Sequence, residues 1–405
     1  SVFDGIRNPE NKEIQYYYPT NDLVTGPDIL FFWVARMIVA GYEFKEELPF
    51  KDVYLTGLVR DKQGRKMSKS LGNSPDPLEL IEKYGADGVR VGMLLCAPAG
   101  NDLPFDENLC EQGRNFSNKI WNAFRLIKGW EVSSIPQEDA SKYAIKWFEN
   151  KRDQTIKNIN YAFSKYRISE ALMFTYKLVW DDFCSLYLEI IKPEYQQPID
   201  RKTYDSTIKF LDDILKLLHP FMPFLSEELW HQIDDREEDI IISSWPMVKD
   251  IDEQLINDFE NTVEIVSGIR NIRKQKNITK KEKLELLIIE KRQSKNNLQS
   301  IIIKLGHLSS IKHTDTKVES AFSFMVKSNQ YFIQLLDNFD KESELEKLHK
   351  DLEYTKGFYK IVEGKLSNEK FVKNAPEQLV QNEKNKLKDA KEKIRILTEK
   401  INSLS

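Results

Sequence analysis

Residues 64 to 74 read GRKMSKSLGNS. The run holds Arg65, Lys66 and Lys69, three serines, glycines at positions 64 and 72, and no acid. Glycine admits backbone angles that other residues avoid, and serine competes with the backbone for hydrogen bonds, so the string reads as a loop rather than a helix. A loop that combines cations, hydroxyls and free backbone N–H groups is suited to a polyphosphate.

The neighbouring elements must position that loop. DLVTG (22–26) reads as a short apolar strand, DILFFWVARMIVAGYEF as a buried helix, and Val53 to Val59 as a second strand that runs straight into the lysine loop. PDPLELIEKYGADGVRVGMLL then reads as a helix, a glycine turn and a second helix. Strand, helix, strand, loop, helix is the rhythm of an open parallel α/β sheet, whose ligands gather at the carboxyl ends of the strands. The lysine loop follows such an end.

A second set of candidates is suited to RNA. From 107 to about 235 apolar residues recur three and four apart, which predicts an antiparallel helical bundle, with Pro220 and Pro223 ending or kinking one helix. Arg114, Asn118 and Arg125 share a helix with Phe116, Trp121 and Phe124. Cations beside aromatics suit unstacked bases, although such aromatics serve as core more often. Arg270, Arg273, Lys274 and Lys276 precede Lys280, Lys281 and Lys283, a dense run that either contacts a phosphate backbone or forms a solvated face. LELLII (284–289) reads as a strand in a small mixed domain. Leu345, Leu348, Leu352, Thr355, Tyr359, Val362 and Leu366, then Val380, Glu383, Leu387, Ala390, Ile394, Leu397, Ile401 and Leu404, follow heptad spacing with one charged lapse at Glu383. That predicts an antiparallel coiled-coil hairpin turning near Asn374 and Pro376, with arms of about 30 to 35 Å.

The chain of 405 residues carries 60 basic and 64 acidic side chains, a net charge of −4, which excludes a generally cationic nucleic-acid binder. Cys96, Cys110 and Cys184 are widely spaced and read as buried small hydrophobes; neither they nor the five histidines show metal-ligand spacing, so no protein-bound metal is expected. No apolar run is long enough to span a membrane, and a cytoplasmic protein is expected.

Lys66-Met67-Ser68-Lys69-Ser70 matches all five positions of the KMSKS motif of class I aminoacyl-tRNA synthetases. VTGPDILFFWVARMI (24–38), PDPLELIEKYGADGVR (75–90), CEQGRNFSNKIWNAFR (110–125) and the tail with KLSNEKFVKNAP resemble the valyl-tRNA synthetase family, whereas HPFMPFLSEELW (219–230) is shared with the isoleucyl and leucyl branches. The resemblance implies a mainly α chain with a partial α/β unit. It implies the second half of a Rossmann-type catalytic domain (1–106), a helical anticodon-binding domain (107–250), a small mixed α/β junction domain (251–337) and a coiled-coil tRNA-binding arm (338–405). It also implies ATP with Mg2+, valine and tRNA-Val as ligands, and a monomeric full-length enzyme. By the same resemblance Lys66 and Lys69 are catalytic, Lys66, Met67, Ser68, Lys69, Ser70, Gly26 and Asp28 bind ATP, and Trp33 walls the amino-acid pocket. Arg114, Asn118, Arg125, Arg270, Arg273 and Lys274 contact tRNA, and Lys365, Lys370, Lys373 and Lys384 lie near the tip of the arm. Pro27 departs from the family pattern, because it cannot donate a hydrogen bond and it restricts Gly26. The family's His-Ile-Gly-His-type motif and editing domain have no counterpart in the sequence. The chain is therefore expected to be a C-terminal part of a larger enzyme, inactive alone, with an exposed sheet edge and apolar face. The alternatives are a non-catalytic tRNA-binding module and a fragment of an isoleucyl or leucyl enzyme.

Overall fold

The computed structural model describes residues 10–96, 102–276, 278–289, 298–316, 318, 321–334, 341–368 and 377–404. The chain divides into two compact units, one ending at Phe259 and one beginning at Glu260.

The first unit opens with a short helix, α1 (Lys12–Tyr17), capped by the Asn11 side chain, which accepts from the Ile14 amide at 3.1 Å. Strands β1 (Thr20–Thr25) and β2 (Phe50–Leu55) pair in parallel, Leu23 opposite Val53. Between them a 3-10 turn (Pro27–Ile29) and a π-helical turn (Leu30–Val34) lead into α2 (Ala35–Lys45). The expected parallel strand–helix–strand unit is therefore present, with two corrections. The second strand does not run unbroken to Val59: it stops at Leu55, and a separate β3 (Val59–Arg60) pairs in parallel with β4 (Leu103–Pro104). Nor is the helix buried. Phe31 is 82% exposed, Phe32 64% and Val39 69%, and only Val34 and Gly41 are enclosed. Apolar patterning reports what a segment needs to cover, and this sheet offers two strands to cover it. The expected exposed apolar face is thus seen directly.

Helices α3 (Pro77–Tyr84) and α4 (Ala86–Leu95) follow the loop. Asp76 caps α3 by accepting from the Leu78 amide at 2.8 Å, with Pro77 in the first turn, where its missing N–H costs nothing. α4 crosses α5 (Glu107–Lys128) at backbone contact. A Cβ on Gly113 would lie 2.3 Å from the Gly88 carbonyl oxygen, so a side chain there would force the two helices apart.

The bundle continues with α6 (Asp139–Ser164), α7 (Ile168–Lys177), a π-helical stretch (Leu178–Tyr187), α8 (Leu188–Ile191), α9 (Arg201–Leu218) and α10 (Pro223–Ile233). Its centre is aromatic: Phe148 packs against Phe183, Tyr187 and Phe210 with ring centroids 5.0–5.4 Å apart. The break at Pro220 and Pro223 falls where expected. Asp87 of α4 supplies the cap of α10, accepting from the Leu225 amide at 2.7 Å, while Arg90 donates to the carbonyls of Pro220 and Phe221 at 3.1 Å. The three cysteines are buried thiols, and burial raises each thiol above its ordinary range.

Helix α11 (Glu253–Gln275) runs across the division between units. In the second unit β5 (Leu284–Ile289), α12 (Gln299–Gly306), β6 (Leu308–His313), β7 (Ala321–Val326) and β8 (Asn329–Gln334) form a four-stranded sheet in the order β6-β5-β8-β7. Its core joins Ile265, Ile269 and Ile272 to Leu286, Ile288, Ile302 and Ile333. The hairpin of α13 (Lys341–Ser367) and α14 (Glu377–Leu404) closes the chain. Leu348 and Leu352 pack against Leu397 and Ile401, so the two helices are antiparallel. With 27 and 28 residues, each arm is about 40 Å long, more than the heptad count predicts. Glu383, the lapse in the apolar pattern, is buried against Lys386 at 2.7 Å and Lys365 at 3.8 Å. The side chains of Leu345 and Leu404, and residues Asn374 and Pro376, lie outside the described residues.

Candidate functional site

The lysine loop is built on β3. The chain reverses after Arg60: the Gly64 amide donates to the Asp61 carbonyl and the Asp61 amide to the Arg65 carbonyl, both at 2.9 Å. The Met67 amide then returns to the Val59 carbonyl at 3.0 Å, so residues 65–67 run antiparallel beside β3. Gly64 (φ 76°) makes the reversal and Gly72 (φ 63°) the exit, both in the left-handed region that favours glycine. Lys69–Leu71 forms a single 3-10 turn between them. Arg60 pairs with Asp102 and donates to the Gly64 carbonyl at 3.1 Å, which anchors the hairpin to the segment before β4.

Composition alone did not reveal what holds the loop in shape. The Asp61 carboxylate, 8% exposed, accepts from the amides of Gln63 (3.0 Å) and Arg65 (2.9 Å), from Arg65 Nε (2.8 Å) and from Asn73 Nδ2 (2.9 Å). These donors, led by the Asn73 amide, hold its pKa down at about 2. Asn73 Oδ1 in turn accepts from the Ser68 amide at 2.9 Å. Ser68 Oγ lies 3.1 Å from Ser70 Oγ and accepts from the Leu71 amide at 3.3 Å.

Lys66 faces the end of β1. Its Nζ stands 3.1 Å from Asp28 Oδ2, and both side chains are about half exposed. Asp28 lies in the 3-10 turn after β1, and its carboxylate folds back over Gly26, where a Cβ would meet Oδ1 at 2.8 Å. Gly26 itself is extended (φ −79°, ψ 149°), as the following proline requires. The structure thus brings Gly26, Asp28 and Lys66 together at the carboxyl ends of β1 and β3. The Lys69 side chain lies outside the described residues. Trp33 is 57% exposed on the π-helical turn, so within the described residues it walls no enclosed pocket.

The cationic candidates separate by helix face. On α5, Asn118 and Arg125 are exposed, and Arg114 lies over the Tyr84 ring at 5.6 Å and pairs with Glu111. Phe116 and Phe124 are core, 0% and 5% exposed, so they offer no stacking surface; Trp121 is half-buried. On α11, Arg270 and Lys274 are exposed. Arg273 corrects the expectation of an RNA contact. It is 6% exposed and donates to the carbonyls of Gly306, Thr279, Glu282 and His307 at 2.8–3.1 Å, which consumes its guanidinium in closing the β5–α12–β6 segment. At the arm, Lys365 pairs with Glu383, while Lys370 and Lys373 lie outside the described residues. Sequence spacing gave no metal set, yet folding gathers ligand-type atoms of Glu227, His231 and Asp239 within 4.8 Å, with His231 Nε2 3.2 Å from Glu227 and 3.4 Å from Asp239.

Three family models match the chain. Residues 2–106 match tRNA synthetases class I (I, L, M and V), residues 145–288 the anticodon-binding domain of tRNA ligase, and residues 340–405 the valyl tRNA synthetase tRNA binding arm. Residues 107–144, with α5, fall between the first two. A strand-borne KMSKS loop followed by a helical bundle is thus accompanied by the signature of a class I tRNA synthetase. Valine–tRNA ligases of Christiangramia forsetii and Parabacteroides distasonis are 56% and 55% identical over the whole of this chain, which covers 47% and 46% of theirs. That of Fervidobacterium nodosum is 38% identical over 96% of this chain and 44% of its own. The chain belongs to the valine–tRNA ligase family, and it spans about half the length of the curated relatives it matches. Among solved structures, Mycobacterium tuberculosis methionyl-tRNA synthetase in complex with methionyl-adenylate aligns at 21% identity over 56% of this chain and 47% of that one, with a TM-score of 0.43.

Proposed function

We propose that this chain supplies the KMSKS side of an adenylate-forming site and the tRNA-binding parts of a valine–tRNA ligase. The observation that carries the reading is the placement of Lys66. A loop held by its own hydrogen bonds presents an exposed ammonium beside Asp28, at the carboxyl ends of β1 and β3.

In the proposed reaction the valine carboxylate attacks the α-phosphorus of ATP, a C–O–P bond forms, and pyrophosphate leaves with the electrons of the broken P–O bond. Negative charge grows on the phosphate oxygens, so fixed cations and donors lower the barrier. Lys66 and Lys69 supply cations, Ser68 and Ser70 supply hydroxyls, and Met67 sets the loop backbone. Mg2+ enters with the nucleotide. Gly26 and Asp28 face the nucleotide's ribose side, and Trp33 borders the valine side chain. The adenylate then passes valine to tRNA-Val, gripped by Arg114, Asn118 and Arg125, by Arg270 and Lys274, and by the hairpin arm with Lys365 and Lys384. The finer architecture follows the same reading: half of a Rossmann-type domain, a helical anticodon domain, a junction domain and a coiled-coil arm. No His-Ile-Gly-His-type string occurs in the sequence, so the isolated chain is inactive in this proposal. The full-length enzyme is a cytoplasmic monomer. Among the described residues no helix is long and apolar enough to cross a membrane.

The test is binding of this chain to tRNA-Val transcripts across a salt series, with the native anticodon and with its middle and third bases altered. A loss of about 1–3 kcal/mol per altered base is expected. Equal affinities with a steep salt dependence would overturn the assignment of Arg114, Asn118 and Arg125 to the anticodon and leave a backbone grip. No binding to any transcript would overturn the RNA reading.

A further inference from the structure

We propose that Asp61 and Asn73 are the positioning residues of the lysine loop, a two-residue clamp that sets the path of Lys66 to Ser70 for phosphate chemistry. The inference rests on the reading of that loop as the ATP-binding element. The clamp itself stands on geometry. Asp61, buried at the start of the hairpin, gathers two backbone amides, the Arg65 guanidinium and the Asn73 amide. Asn73, after the exit glycine, relays this anchor to the middle of the motif by accepting from the Ser68 amide, and its Nδ2 also approaches the Lys66 carbonyl at 3.4 Å. The two residues bracket the motif, so neither end of the loop moves without the other.

The chemistry of the pair specifies the residue types. A carboxylate on one side can only accept, and a backbone N–H on the other can only donate, so the link between them must donate from one atom and accept at another. A side-chain amide does both, and this arrangement fixes which way the Asn73 amide points. An aspartate at 73 would set two carboxylates against each other. An alanine would leave Asp61 short of a donor and the Ser68 amide without its acceptor. Neither residue touches the position of the phosphates in this reading; they act through Lys66, Ser68 and the loop backbone. Pre-setting these groups spares the reaction the cost of ordering them.

The test uses amide hydrogen exchange of the whole chain at Gln63, Arg65 and Ser68, in D61N, N73D and the double variant D61N/N73D. Each single variant should speed exchange at Ser68 about tenfold, the scale of one charge-assisted hydrogen bond. The double variant should recover most of the protection at Ser68, because Asn at 61 can donate to Asp at 73, which still accepts from Ser68. Unchanged exchange in the singles, or an additive loss in the double, would overturn the clamp. Amides of the helical bundle, read in the same spectra, report whether a variant is folded; where N73D loosens them, N73S replaces it against the same three amides. The second readout is ATP–pyrophosphate exchange by a full-length valine–tRNA ligase carrying these residues. The singles should lower kcat about tenfold with the KM for valine unchanged, and the double should restore it. A clamp seen by exchange with kcat unmoved would overturn the positioning role. Absence of pyrophosphate exchange in the unsubstituted full-length enzyme would instead count against the proposed function, with the amide result still deciding the clamp.

Discussion

Lys66 Nζ and Asp28 Oδ2 stand 3.1 Å apart across 38 positions of sequence, joining the motif's first lysine to the turn that follows β1. Both groups are about half exposed, so the pair contributes less than about 1 kcal/mol to stability. Asp28→Asn should therefore leave the melting temperature almost unchanged. In pyrophosphate exchange by the full-length enzyme, Lys66→Ala should cost about 100-fold in kcat/KM, on the scale of a lost transition-state contact. A melting shift above about 5 °C for Asp28→Asn, or an activity loss under threefold for Lys66→Ala, would contradict this account.

Arg273 and Lys274 are adjacent in sequence and opposite in role. Arg273→Met removes a buried guanidinium and takes a donor from four carbonyls, of which that of Thr279 still accepts from the Glu282 amide at 3.3 Å, so it should destabilise the second unit by about 3 kcal/mol in urea denaturation. Lys274→Gln should barely shift the denaturation midpoint, yet reduce the salt slope of tRNA binding by about one. The reverse pattern would restore Arg273 to the RNA surface.

Arg152, 5% exposed, pairs with Asp153 at 2.8 Å and with Asp213 at 2.7 Å, tying α6 to α9. Burial pushes the Asp213 carboxyl above its ordinary pKa, and Arg152 opposes that rise. Arg152→Met should cost about 3–5 kcal/mol near neutral pH, because it takes the shared guanidinium from the Asp153 and Asp213 carboxylates and leaves them their weaker partners, the Lys249 amide and Lys216. A carboxyl whose folded pKa exceeds its unfolded value loses stability as pH rises between the two. The penalty in Arg152→Met should accordingly shrink on acidification from pH 7 towards pH 4. A loss that grows on acidification would be inconsistent with the pairing.

Asp61 has the opposite sign. Its folded pKa of about 2 lies below the ordinary carboxylate value, so its contribution is full above about pH 4 and is lost as pH falls towards 2. Intrinsic-rate-corrected amide protection at Arg65 should be flat from pH 8 to 5 and decline below about 3. In Asp61→Asn that decline should disappear. Protection falling near pH 6 would assign the titration to another group.

Much of the chain's local order could be read from periodicity and turn chemistry. The lysine loop between glycines, the bundle helices and the break at Pro220 and Pro223 depend on neighbours within a few residues, and such interactions leave a short-range pattern; the terminal hairpin pairs distant residues such as Leu348 and Ile401, yet each of its helices carries its own heptad repeat. Burial of a particular polar side chain leaves none. Arg273 and Lys274 belong to one basic run, and only the packing of α11 on the β5–α12–β6 segment sends one inward and the other to solvent. Phe31 and Phe32 carry a core-like pattern but stand exposed, because the sheet beside them has two strands. Asp61, Asn73 and Asp87 look like ordinary loop and helix polar residues in the string of letters. Each acquires its role from a donor that folding brings to it, 12 positions away for the Asp61–Asn73 pair and 138 for Asp87 and Leu225. A buried carboxylate is tolerated only where such donors arrive, and their arrival is a property of the whole fold.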